Sequence, residues 1–106
     1  MNIQITSRKF KAKDNLKEFI TDQLKSLEKI TDEIFDVDVI LSFQHQKDSL
    51  KTAEIVVRVP HKVLKASVTT EEFKKSVGFA VEKIEKQIER RKTKIIDTKR
   101  VEKIHD

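Results

Sequence analysis

Three alternating apolar runs follow one another between residues 35 and 69 with only short polar links, and nothing else in the chain limits its fold as tightly. FDVDVILSF (35–43) sets Val37, Val39, Leu41 and Phe43 on one face of an extended segment. Asp36, Asp38 and Ser42 take the other face, with Ile40 the exception. TAEIVVRV (52–59) repeats the pattern with Ala53, Ile55, Val57 and Val59, and KVLKASVT (62–69) supplies a further run. A period of two places alternate side chains on opposite faces of a sheet. The links are HQKDS (45–49), a turn-like polar cluster, and Pro60–His61, where proline suits a strand end because it cannot donate to a ladder. Links this short join antiparallel neighbours. The apolar face they create then needs a cover.

Two segments provide it. From about Asp14 to Ile30, Leu16, Phe19, Ile20, Leu24, Leu27 and Ile30 recur at three- and four-residue spacing, an amphipathic helix with Asp14 near its start as a cap. From residue 73, Phe73, Val77, Ala80, Val81, Ile84, Ile88 and Ile95 fall within a sector of about 100° at 100° per residue. Thr69 or Thr70 caps this second helix, and Glu71 and Glu72 belong to its first turn, where the helix dipole favours acids. Ahead of everything, Asn2–Thr6 alternates Ile3 and Ile5 with polar residues as a first strand. The expected fold is therefore α+β in the order β-α-β-β-β-α, a four-stranded, mostly antiparallel sheet with both helices on one face. Residues 1–95 make the domain. Residues 96–106 form a tail that either extends the last helix or frays.

The second helix carries the charge as well. Residues 73–94 hold eight Lys or Arg against three Glu, a net of +5 that equals the formal net charge of the whole chain. Lys75, Lys83, Lys86, Arg90 and Lys94 lie opposite the apolar sector with Phe79 among them, while Glu82, Glu85 and Glu89 lie along one flank. Lys83, Lys86, Arg90 and Lys94 climb one line, each ~4–6 Å above the last. Such a comb matches successive phosphates of a nucleic acid strand, and an exposed Phe79 offers a face for a base. The plainer reading is a solvated surface, with Phe79 tucked sideways against the sheet. The first helix, with Lys17, Lys25 and Lys29 among Glu18, Asp22 and Glu28, reads as a balanced solvated face. Arg8 and Lys9, in the first connection, are auxiliary phosphate contacts.

Other chemistry finds little footing. Cysteine is absent, so no thiolate metal site, disulfide or thiol nucleophile exists. The single glycine, Gly78, lies inside a helix and cannot form a phosphate-cradling loop. His45, His61 and His105 stand apart from carboxylates at ligand spacing. Asp36 and Asp38 share a strand face that points into water, whereas a hydrolytic pair needs a cleft. No signal core or membrane-length apolar run is present. The basic helix cannot lie in a membrane surface either, because its apolar face is already needed by the sheet. The expectation is a cytoplasmic, non-enzymatic binding domain with no cofactor, metal or small-molecule substrate.

The element order, together with MNIQITSRKF at the start, SLEKI (26–30) and EKIEKQIERRKTKI (82–95), resembles the ribosome hibernation-promoting factor and ribosome-associated translation inhibitor family. The resemblance covers about residues 1–95 and looks like the family's short form. It implies a partner, the small ribosomal subunit and its rRNA, and a role in silencing idle ribosomes by blocking the channel for mRNA and tRNA. The protein would be monomeric away from the ribosome. The family's basic ladder carries over to Lys83, Lys86, Arg90, Arg91, Lys92 and Lys94. Where the family has Asp-Met-Tyr-x-Ala-Ile-Asp, this chain reads Glu72-Phe73-Lys74-Lys75-Ser76-Val77-Gly78, and family basic positions in the first helix read Gln23 and Ser26. These departures shift the expected contacts onto the second helix. The alternative reading is a general double-stranded RNA-binding module, which would recognise A-form shape without preferring ribosomes.

Overall fold

The computed structural model describes the backbone of residues 1–44 and 47–105, and side chains of residues 1–44 and 50–91. The chain runs β1 (Asn2–Ser7), α1 (Asp14–Ile30), β2 (Asp36–Gln44), β3 (Lys47–Val59), β4 (Lys62–Thr70) and α2 (Phe73–His105). The four strands form one sheet in sequence order. β2–β3 and β3–β4 are antiparallel hairpins, whereas β1 pairs parallel with β2 from Asn2↔Asp36 to Ser7↔Leu41. The sheet is thus mixed, which amends the expectation of a mostly antiparallel one. The reason lies in the connection: a strand followed by a helix returns to the same end of the sheet, so the next strand starts parallel to the first.

Val37, Val39 and Leu41 of β2, Ala53, Ile55, Val57 and Val59 of β3, and Leu64 and Ala66 of β4 are buried. Against them pack Ile20, Leu24 and Leu27 of α1 and Phe73, Val77, Ala80, Val81, Ile84 and Ile88 of α2. Each fully buried Val, Leu, Ile or Phe among them contributes about 1.5–3 kcal/mol by leaving water, and each Ala less. The opposite sheet face stays open. There Arg58 pairs with Asp36 and, at 3.1 Å, with Asp38, so both carboxylates point outward as expected and are held by a cation. Hydrogen bonds to Asp36 first and Asp38 second raise the Arg58 pKa above its ordinary value.

Several local details differ from the sequence reading. α1 is capped at Lys13 with no side-chain bond, and Asp14 is its first residue, placed where the dipole still favours an acid. Glu71 and Glu72 precede α2 rather than occupying its first turn. β3 begins at Lys47, so the polar cluster 45–49 is largely strand, and His45 lies outside the described residues. α2 continues as helix to His105; the side chains of residues 92–106 lie outside the described residues. Pro60 and His61 form the β3–β4 turn, with His61 at φ 64°.

Candidate nucleic-acid interface

α2 is clamped on three sides, and the clamps decide which face it shows to solvent. At its start, the buried Ser76 hydroxyl donates to the Lys51 carbonyl at 2.7 Å and lies 2.8 Å from the Thr70 hydroxyl. Thr70 also accepts from the Glu72 N–H at 3.1 Å, a local turn that leads into the helix. The first helical bond runs from the Ser76 N–H to the Glu72 carbonyl, so the capping position is Glu72 and not the expected Thr69 or Thr70. Phe73 stacks on Phe10 with centroids 5.1 Å apart, and Phe43 meets both rings edge-on. Along the flank towards α1, Glu85 accepts from the Ser26 hydroxyl at 2.7 Å, and Lys74 lies over the Phe19 ring. On the other flank, Gln87 donates to the Lys65 carbonyl of the edge strand β4 at 2.8 Å. Near the far end of the sheet, Arg91 donates to the Pro60 carbonyl at 2.7 Å.

With those faces committed, the outer face carries Lys75, Phe79, Lys83, Lys86 and Arg90, all exposed. Among the described residues, none of these four cations pairs with an acid. Their positive charge is available to an external anion, and on a helix rising 1.5 Å per residue they span about 22 Å. Phe79 is 50% exposed and stands outside the core cluster, so the sideways packing against the sheet is not what the structure shows. Arg91 is the exception among the expected ladder residues. It is half-buried, with its guanidinium spent on the β3–β4 turn. The signal was present in the sequence, since residue 91 follows Phe73 by eighteen positions, five whole turns, and shares its core-facing direction. Lys92 and Lys94 have side chains outside the described residues. Arg8 and Lys9 are exposed on a separate element, at the sheet end where α2 begins; the Lys9 backbone has φ 65°. Sequence reasoning missed Ser76 and Gln87, whose partners are carbonyls on distant strands.

α1 offers no comparable surface. Its outer face mixes signs, and Lys25 pairs with Asp22 at 3.6 Å. Among the described residues no three His, Asp or Glu side chains come together in a way that could hold a metal ion. No described helix is long and apolar enough to cross a membrane.

Fold and surface together define a small α+β binding domain that presents one basic helix face. The chain belongs to the family described as Sigma 54 modulation protein / S30EA ribosomal protein, whose model matches residues 3–96. It is 25% identical over 95 residues to the ribosome hibernation promotion factor of Bacillus subtilis strain 168, a match covering 90% of this chain and 50% of that protein. The chain thus spans about half the length of that curated relative. Among solved structures it is similar to the N-terminal domain of Thermus thermophilus Protein Y, with a TM-score of 0.75, 23% identity and coverage of 85% and 98% of the two chains. It is also similar to a ribosomal subunit interface protein of Coxiella burnetii, with a TM-score of 0.77, 23% identity and coverage of 88% and 99%. At these identities the structural likeness is one of fold.

Proposed function

We propose that this domain binds the small ribosomal subunit through its rRNA and keeps idle ribosomes from translating. The outer face of α2 makes the contact: Lys75, Lys83, Lys86 and Arg90 each approach a phosphate, with Arg8 and Lys9 adding contacts at the helix start. Lys92 and Lys94 continue the series in sequence. The mechanism is occupancy. A basic wedge fills rRNA surface in the channel that mRNA and tRNA use, no bond is made or broken, and no cofactor takes part. The work is cytoplasmic, and the domain is monomeric off the ribosome. The observation that carries this reading is the absence of acid partners, among the described residues, for four cations on one exposed helix face. Family membership and the names of the similar proteins supply the ribosome as the polyanion.

Co-sedimentation with purified small subunits, with and without excess duplex RNA, tests it. Binding that resists the duplex is expected. Loss to any duplex would favour the general double-stranded RNA-binding module. Lys86→Glu combined with Arg90→Glu should abolish association while the melting temperature stays within about 5 °C, since exposed charges contribute little to folding. A double variant that still co-sediments normally would refute the assignment of the face.

A further inference from the structure

Two consecutive residues of α2 break local rules that the fold gives no reason to break. Gly78 is the chain's only glycine, yet it sits inside a helix, where glycine is a poor helix former relative to alanine. Its backbone has no positive φ, so no turn requires it. Close packing does not require it either, because a Cβ built there would meet no other group within 4 Å. Beside it, Phe79 turns half its surface to solvent and makes no ring contact among the described residues. A bare helix backbone next to an uncovered ring is a notch with an aromatic wall.

We infer that Gly78 and Phe79 form a seat for one unpaired nucleotide, with the base stacked on Phe79, its edge or ribose reaching over Gly78 towards Glu82, and its phosphates turned to Lys75 and Lys83. This deepens, and rests on, the RNA-binding reading of the same helix. The occupant follows from the surroundings. Lys75 and Lys83 stand four residues before and after Phe79, within reach of phosphates on either side of a stacked base. Glu82, three residues on, repels phosphate on the other side of the ring and can accept from a base amino group or a ribose hydroxyl. Cations flanking a ring fit a nucleic acid better than an apolar protein surface. The base must be unstacked to reach the ring, so the seat selects single-stranded or looped RNA over continuous duplex.

The chain contains no tryptophan, so Phe79→Trp installs a unique fluorophore. Its emission should be quenched by an oligouridylate of about eight nucleotides and by small subunits, but not by blunt duplex RNA. Phe35→Trp, at an exposed site preceding β2, is the control that should stay unquenched. Phe79→Ala should weaken binding to both the oligomer and the subunit by about tenfold, the scale of one lost base stack, with its melting temperature maintained. Gly78→Ala should raise the melting temperature and yet weaken binding, a pairing that a purely structural glycine would not give. Phe79→Ala that lowers stability and leaves affinity intact would return the ring to the core and overturn the inference. So would a loss of subunit binding with no quenching by any RNA, which would place a protein on the ring. If Phe79→Ala binds normally while the Lys86→Glu, Arg90→Glu variant does not, the seat fails and the ribosome reading stands. If the oligomer quenches the Phe79→Trp variant but the wild-type protein ignores small subunits, the seat stands and the ribosome reading fails.

Discussion

α1 and α2 lie on the same sheet face and bury aliphatic stripes of the same kind, but their outer faces are built differently. On α1 the signs alternate around the exposed side, and Lys25 is matched by Asp22 one turn away. On α2 Glu85, on the flank facing α1, is held by Ser26, and among the described residues Lys75, Lys83, Lys86 and Arg90 on the outer face pair with no acid. The open sheet face goes further than α1, since its Arg58 is shared between two aspartates. A cation beside an acid is already solvated by it and has little to offer a phosphate. A cation without one keeps its field and releases counterions when it binds. The count of basic residues therefore says less about partners than their local neutralisation does.

The largest test of that contrast reverses charge on each helix in turn. Lys86→Glu with Arg90→Glu should lower small-subunit affinity by at least about a hundredfold, whereas Lys25→Glu with Lys29→Glu should change it by less than about fivefold. Equal losses in a sedimentation assay would erase the distinction between the helices. A smaller effect comes from removing one charge. Arg90→Gln should flatten the plot of log affinity against log salt by ~0.7–0.9, the contribution of one phosphate, while Lys25→Gln leaves the slope alone. The smallest effect on binding is expected inside α2 itself. Arg91→Gln should shift affinity by less than about twofold but cost about 1 kcal/mol of stability by thermal or urea unfolding, because its hydrogen bond serves the Pro60 turn. A binding loss at Arg91 as large as that at Arg90 would mean that the guanidinium leaves the turn to meet RNA.

Much of this was legible in the chain. Alternation in 35–43, 52–59 and 62–69 located three strands, and three- and four-residue spacing located both helices, because burial on one face imposes those periods directly. The parallel pairing of β1 was implied by the intervening helix, but hairpin logic does not reach it. Strand ends and caps were shifted by a few residues, since hydrogen-bonding geometry rather than hydrophobicity decides where an element stops. On the candidate face, angular arithmetic recovered Lys75, Phe79, Lys83, Lys86 and Arg90 as a group. It also had the means to exclude Arg91, which entered through family likeness. Ser76 was beyond reach, because its burial depends on a carbonyl of β3 twenty-five positions away that no local pattern announces.

The clamping of α2 has one more consequence. Val77, Ala80, Val81, Ile84 and Ile88 fix the rod's rotation and height from below, so the charged tips above cannot adjust one at a time. Any trimming of that buried row would tilt every tip together and put the whole set out of step with its target, although no charged group had been touched. By the same mechanical link, a polyanion gripping the tips would hold the rod against the sheet and raise the protein's resistance to heat.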